Sequence, residues 1–206
     1  MYSPPAFRED DPVELRRLMR AARLSTLATA TPNGIMATPL PLILDETEGE
    51  HGVLYGHLAK ANQQWSTPVI GEAMAIFNGP DAYVTPSWYE SKREHGKVVP
   101  TWNYVAVHAY GAVEFFMDEA RLHDAVSRLT QLHETPRADP WGVDDAPEPF
   151  IAAQLRGIVG LRLKISRIEG KVKMSQNRSE VDRQGVANGL AASPDAGDRA
   201  VAKLIR

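Results

Sequence analysis

The chain has 206 residues, enough for one domain with a real core, and its 43% hydrophobic and 24% charged content is that of a globular protein. Cysteine is absent, which excludes disulfides, thiolate metal centres and a cysteine nucleophile, and the formal net charge of −3 leaves no overall basic footprint for nucleic acid. The longest apolar runs, such as PLPLIL around Leu42, fall far short of the roughly 18 residues that a membrane span needs. The opening MYSPPAFREDD has neither the basic nor the apolar region of a signal peptide, so the expected location is the cytoplasm, with no membrane partner.

Asp11-Pro12-Val13-Glu14 reads as a helix start: a capping acid, a proline in the first turn and a second acid behind it. Leu15, Leu18, Met19 and Ala22 then recur at helical spacing, with Arg16, Arg17, Arg20 and Arg23 largely on the other side. The plain reading of that arginine face is solvated surface; the sharper one is a contact for phosphates, on DNA or elsewhere. From Leu24 the period becomes that of a strand. LSTLATAT, Pro32-Asn33-Gly34 and IMATPLPLIL predict a β-hairpin, with Asn-Gly taking the positive φ angles of a tight turn. Pro39 and Pro41 remove ladder donors, so the second strand is expected to be an edge or bulged there.

The acidic DETEGEHG is a loop, GVLYGH a further strand, and LAKANQQWST a short helical turn. AMAIFNG and DAYVTP predict two strands, with Gly79-Pro80 as a break between them. After the charged loop KREHGK comes a long aromatic strand that extends to about Phe116. Asp118 caps an amphipathic helix whose stripe is Leu122, Ala125, Val126, Leu129 and Leu132. TPRADPWGVDDAPEP is a loop that Trp141 pins down, a short helix lies near Phe150, and IVGLRLKISRIEG is the last strand. From Lys171 to Arg206 the chain is polar at first and weakly helical near Ala200 to Ile205. Roughly five to seven strands joined by hairpins, with few helices, predict a mainly β, antiparallel barrel with helices packed outside. One domain is expected over residues 1–190, N-terminal helix included, followed by a C-terminal helical tail over 191–206.

GxGxxG, GxxxxGK[ST], GxSxG and HExxH are all absent. His57, His108, His123 and His133 lack metal-ligand spacing, so no metal site is expected. The informative stretch is Val98 to Gly111, VVPTWNYVAVHAYG. It puts Trp102, Asn103, Tyr104, His108 and Tyr110 into a strand that reads as buried, where such polar-edged groups are costly without partners. A pocket for a flat ligand with a polar edge explains them. GHLAKANQQW, from Gly56 to Trp65, suggests an anion site, because a strand running into a helical turn offers backbone N–H groups and Lys60 adds a charge. GKVKMSQNRS adds Lys171, Lys173, Gln176, Asn177 and Arg178, whose plain reading is a solvated connector.

GHLAKANQQW, FNGPDAYVTPSWYESK, KVVPTWNYVAVHAYG and EGKVKMSQNRS, in that order, closely resemble the PaiB family, as do MYSPPAF and ETPRADPWGVDDAPEPFI. The resemblance runs from Met1 to about Leu190. It implies an FMN-binding split β-barrel, antiparallel and Greek-key-like, usually a homodimer with flavin at the subunit interface. The family's founding member is a negative transcriptional regulator. By resemblance, the stretch through His57, Leu58 and Lys60 grips the FMN phosphate, with Asn62 nearby. Thr38 and Leu40 offer backbone to the flavin edge, Trp102 and Asn103 match the family's TWNY, and Lys173 and Gln176 complete the site. The related oxidases use a grip rich in Arg and Ser, which this turn lacks, so pyridoxamine-phosphate oxidase activity is not implied.

Three functions stay open from the sequence. The first is a dimeric FMN-binding repressor acting on DNA or through a protein partner. The second is a flavin-dependent reductase or oxidase using the same interface pocket, with His108 and Tyr104 as candidate acid or base. The third is haem binding or breakdown, with His57 or His108 on the iron.

Overall fold

The computed structural model describes residues 1–205; Arg206, the last residue of the expected C-terminal tail, lies outside the described residues. In chain order the elements are β1 (Arg8–Glu9), α1 (Pro12–Ala21), β2 (Ser25–Thr31), β3 (Gly34–Leu40), β4 (Ile43–Asp45) and β5 (Val53–Ala59). Then come β6 (Ala73–Val84), α2 (Glu90–Glu94), β7 (Thr101–Phe116), α3 (Glu119–Glu134), α4 (Glu148–Leu155), β8 (Ile158–Lys173), α5 (Glu180–Ala191) and α6 (Ala196–Ala202). The strands form one eight-stranded sheet in the order β3-β2-β6-β7-β8-β5-β4, with β1 added on β8. The pairs β1–β8, β2–β3, β2–β6, β4–β5 and β5–β8 are antiparallel.

Two expectations about turns need correction. The β2–β3 hairpin pairs Thr31 with Gly34, so its loop is Pro32-Asn33 and only Gly34 takes a positive φ, at 114°. Thr31 Oγ1 fixes that loop by donating to Gly34 O and accepting from Asn33 N. The Gly79-Pro80 pair does not break the chain: β6 runs unbroken through it. Gly79 is there because Val105 packs on its backbone; a Cβ would lie 2.7 Å from Val105 Cβ.

Two compact units divide the chain, and β6, β7 and β8 pass from one to the other. The larger unit holds residues 19–77 and 108–168. Its sheet ends, β3 and β4, are consecutive in the chain with only Pro41 and Leu42 between them, so the sheet must curl round on itself. Gly56 of β5 marks the closure, since a Cβ there would lie 2.7 Å from Leu42 Cδ2 and 3.0 Å from Pro41 O. Alternate residues fill the interior, among them Leu27, Leu54, Leu58, Ala75 and Phe77, all buried. Asp118 caps α3 by accepting from Arg121 N, and Leu122 of that helix packs with Phe116 and Leu155. Phe116 also lies on Gly160, where a Cβ would meet its ring at 2.3 Å.

The smaller unit holds residues 1–18, 78–107 and 169 onward. Here the chain after Lys173 differs from the polar connector that composition suggests. Ser179 caps α5 by accepting from Asp182 N, and Val186 and Leu190 are fully buried, as is Val201 of α6. The packing face of α5 is built on glycine, which carries no hydrophobic signal. A Cβ at Gly185 would fall 2.0 Å from Trp88 O, and one at Gly189 2.3 Å from the Trp88 indole. Asp182, buried beside them, accepts from Ser91 N at 3.1 Å and from Ser91 Oγ at 2.7 Å.

Candidate functional site

In the larger unit, the end of β5 and the turn after it bring six of the sequence-predicted residues together. α3 lies against β5, and Arg128 of α3 sits 5.2 Å from the Tyr55 ring centroid. His57, two residues on, shares that face of the strand. Its Nδ1 is buried without a hydrogen-bond partner, and burial holds its pKa below the usual histidine value, which favours the neutral imidazole. Leu58 points the other way and is core.

Lys60 is the first residue after β5, in the turn, with its side chain exposed. Its backbone N donates to Gly157 O at 2.8 Å and its carbonyl accepts from Trp65 Nε1 at 2.9 Å. Lys60 lines a small cleft of about 100 Å³ with Met117, Glu119, Leu155 and Arg156. Among the described residues neither Lys60 nor Arg156 has an ion-pair partner. The backbone N–H groups of Lys60, Asn62 and Gln64 are all taken, by Gly157 O, Ala59 O and Asn62 Oδ1. Those three N–H groups are therefore not open to an anion, whereas the N–H groups of Ala61 and Gln63 in the same turn are not among the bonded ones.

Thr38 and Asn62 belong to a closed network around Gln64, a fully buried residue that sequence reasoning did not single out. Asn62 Nδ2 donates to Thr38 Oγ1 at 2.9 Å, and Thr38 Oγ1 donates to Gln64 Oε1 at 2.5 Å. Gln64 Nε2 reaches Leu27 O, Thr29 Oγ1 and Met36 O, which ties the turn to β2 and β3. Leu40 is buried, and its carbonyl accepts from Ser25 Oγ at 2.7 Å. No spacing rule marks Gln64; only the fold puts its amide among those acceptors.

The other four predicted residues lie in the smaller unit. Trp102 is half exposed and meets the Tyr83 ring edge-on, with centroids 6.1 Å apart. Asn103 is fully buried and exchanges hydrogen bonds with Ser175 Oγ through both amide atoms, each at 3.1 Å. Ser175 has φ of 63°, a left-handed conformation held by that contact. Gln176 clamps the end of β8, accepting from Met174 N and donating to Val172 O. Lys173 donates to Thr101 Oγ1 and Trp102 O, and burial, Lys171 and Arg178 together lower its pKa.

His108 and Tyr110 lie on β7 in the larger unit, with His108 Nδ1 3.4 Å from the Tyr110 hydroxyl and Arg167 stacked 3.6 Å from the Tyr110 ring centroid. Among the described residues no cluster of His, Asp and Glu is arranged to hold a metal ion.

The donor set fits a flavin mononucleotide. In the larger unit, Lys60 and Arg156 line one cleft with Glu119 and have no ion-pair partner among the described residues, so they can meet a phosphate. In the smaller unit, described by itself, Trp102 with Tyr83 is an exposed aromatic pair against which a flat ring can lie.

An antiparallel sheet closed in this way, with flanking helices, is a split barrel of the kind found in flavin-binding proteins. The flavocytochrome Anf3 of Azotobacter vinelandii shares the fold, with a TM-score of 0.58 at 15% identity over 86% of this chain and 75% of that one. The family described as "Putative FMN-binding domain" matches residues 1–167. Protease synthase and sporulation protein PAI 2 of Bacillus subtilis is 31% identical over 206 residues, spanning 100% of this chain and 96% of its own. The uncharacterized protein AN0679 of Emericella nidulans is 34% identical over 229 residues, 93% of this chain and 91% of its own. The chain belongs to this FMN-binding, PaiB-type family, and FMN is its cofactor. No helix among the described residues is long and apolar enough to cross a membrane.

Proposed function

We propose that the protein is a homodimeric, cytoplasmic FMN-binding regulator that represses transcription. The observation that carries the flavin reading is the Lys60–Arg156 pair, two cations that line one cleft, neither of them in an ion pair among the described residues, with Glu119 as the one acid beside them. The regulatory reading rests on full-length similarity to PAI 2, a protein named for protease synthesis and sporulation. Bound FMN supplies one- and two-electron redox chemistry. This chain's own part is positional: Lys60 and Arg156 meet the phosphate charge, and the Gln64 network keeps the turn in place.

A protein partner is the better route to the promoter. Of the α1 arginines, Arg17 is held by Glu14 and Arg20 by Glu46, so much of that face is already neutralised. Direct DNA contact would have to break those pairs.

The test is a flavin titration of the purified protein with sedimentation of the loaded form, then anaerobic NAD(P)H. Transcripts are compared with and without the gene. Saturable flavin bands, a dimer, slow bleaching and raised transcripts in the deletion support the proposal. Rapid bleaching with unchanged transcripts moves the function to a flavin reductase.

A further inference from the structure

The lysines at the end of β8 are the least explained charges in the molecule. Lys171 is only 7% exposed. One of its N–H groups donates to Tyr2 O at 3.1 Å, and its ammonium lies 5.6 Å from the Tyr2 ring centroid and 5.1 Å from that of Tyr104. Lys173, two positions on, shares its face of the strand. Two of its N–H groups go to Thr101 Oγ1 and Trp102 O, and the Phe7 ring centroid is 6.0 Å away.

No carboxylate pairs with either lysine among the described residues. Arg178, stacked on Tyr89, adds a third positive charge that Lys173 feels. Its nearby acid, Asp182, is already bonded to Ser91. An ammonium has three donors, so one on Lys173 and two on Lys171 have no acceptor among the described residues.

Buried charge is costly unless it is paired, and the ring contacts replace only part of a lost hydration shell. Burial and the two neighbouring cations already push Lys173 toward its neutral form, which an arriving anion would reverse.

We propose that Lys171 and Lys173 form a second anion site, separate from the FMN phosphate grip, that takes the phosphate group of a small metabolite. A dianionic phosphate matches this concentration of charge, whereas a single carboxylate leaves a surplus. Its cover is the N-terminal arm: Tyr2 accepts from Lys171, Ser3 Oγ donates to Gly170 O, and Phe7 lies beside Lys173. Ligand entry displaces that arm. This assigns Lys173 a ligand other than the flavin that the family resemblance implies for it.

The experiment titrates FMN-saturated protein with inorganic phosphate at constant ionic strength, with acetate as the comparison, and reads binding by phosphorus NMR and by thermal shift. Flavin absorbance is followed separately, so a failure to load FMN is seen as such; the phosphate titration is then run on the flavin-free protein. The expected result is saturable phosphate binding, weakened at least tenfold in Lys173→Gln and in Lys171→Met but retained in Lys60→Ala. Because Lys173 is the less buried of the two, Lys173→Gln decides the matter if Lys171→Met does not fold. Absent saturation, an equal response to acetate, loss of phosphate binding once FMN is loaded, or loss in Lys60→Ala but not in Lys173→Gln would each overturn the proposal.

Discussion

Replacing Gln64 by leucine tests the claim that one buried amide sets the turn that carries Lys60. Its Nε2 has acceptors at 3.1, 3.0 and 3.3 Å, and its Oε1 takes the Thr38 hydroxyl at 2.5 Å. Two N–H groups and one carbonyl make about three net hydrogen bonds, each worth about 1 kcal/mol. Leaving Leu27 O and Met36 O buried and unpaired costs a further 1–3 kcal/mol or so for each group that water cannot reach. The leucine side chain returns roughly 1.5–3 kcal/mol through its own burial. The net loss is about 2–7 kcal/mol, and the midpoint of about 5 kcal/mol lowers Tm in a chain of this size by roughly 10–20 °C. Gln64→Glu is expected to be worse, because a carboxylate oxygen would then face three acceptors. Urea denaturation followed by circular dichroism measures both variants. A leucine variant within about 1 kcal/mol of wild type, or a glutamate variant more stable than the leucine one, would refute the reasoning.

Lys60→Ala should weaken FMN more than riboflavin, which lacks the phosphate, by about 1.5–3 kcal/mol or roughly 10- to 150-fold; isothermal titration with both ligands checks this, and equal losses would remove Lys60 from the phosphate. Burial holds the His57 pKa below its ordinary value, so the unfolded chain takes up a proton that the folded chain refuses. Stability should therefore fall as pH drops through about 6.5 and level off below the folded pKa, and in His57→Leu that slope should be reduced; an unchanged slope puts its origin elsewhere. Gly185→Ala drives a methyl to within 2.0 Å of Trp88 O, a backbone atom that cannot rotate away. It should cost about 1–3 kcal/mol or more in thermal unfolding and disturb the Trp88 near-ultraviolet signal, and a neutral outcome would mean that α5 does not pack on that carbonyl.

What the amino-acid order determined by itself was local. The Asp11-Pro12 and Asp118 helix starts, the β2–β3 hairpin and the aromatic strand ending at Phe116 all follow from caps, turn residues and side-chain period, which act over a few residues. The long motifs carried the family and its flavin, because order along the chain is what they record. Tertiary structure alone decided the rest. β6 runs through Gly79-Pro80 because Val105 needs the space over that glycine. α5 forms from a polar sequence because Gly185 and Gly189 let Trp88 approach, and glycine leaves no apolar signal to read. Gln64, Ser175, Arg156 and the acid-free lysines of β8 acquire roles only through neighbours distant in the chain. Whether a buried polar group is paired or left without a partner depends on what the fold sets beside it, and side-chain spacing holds no record of that.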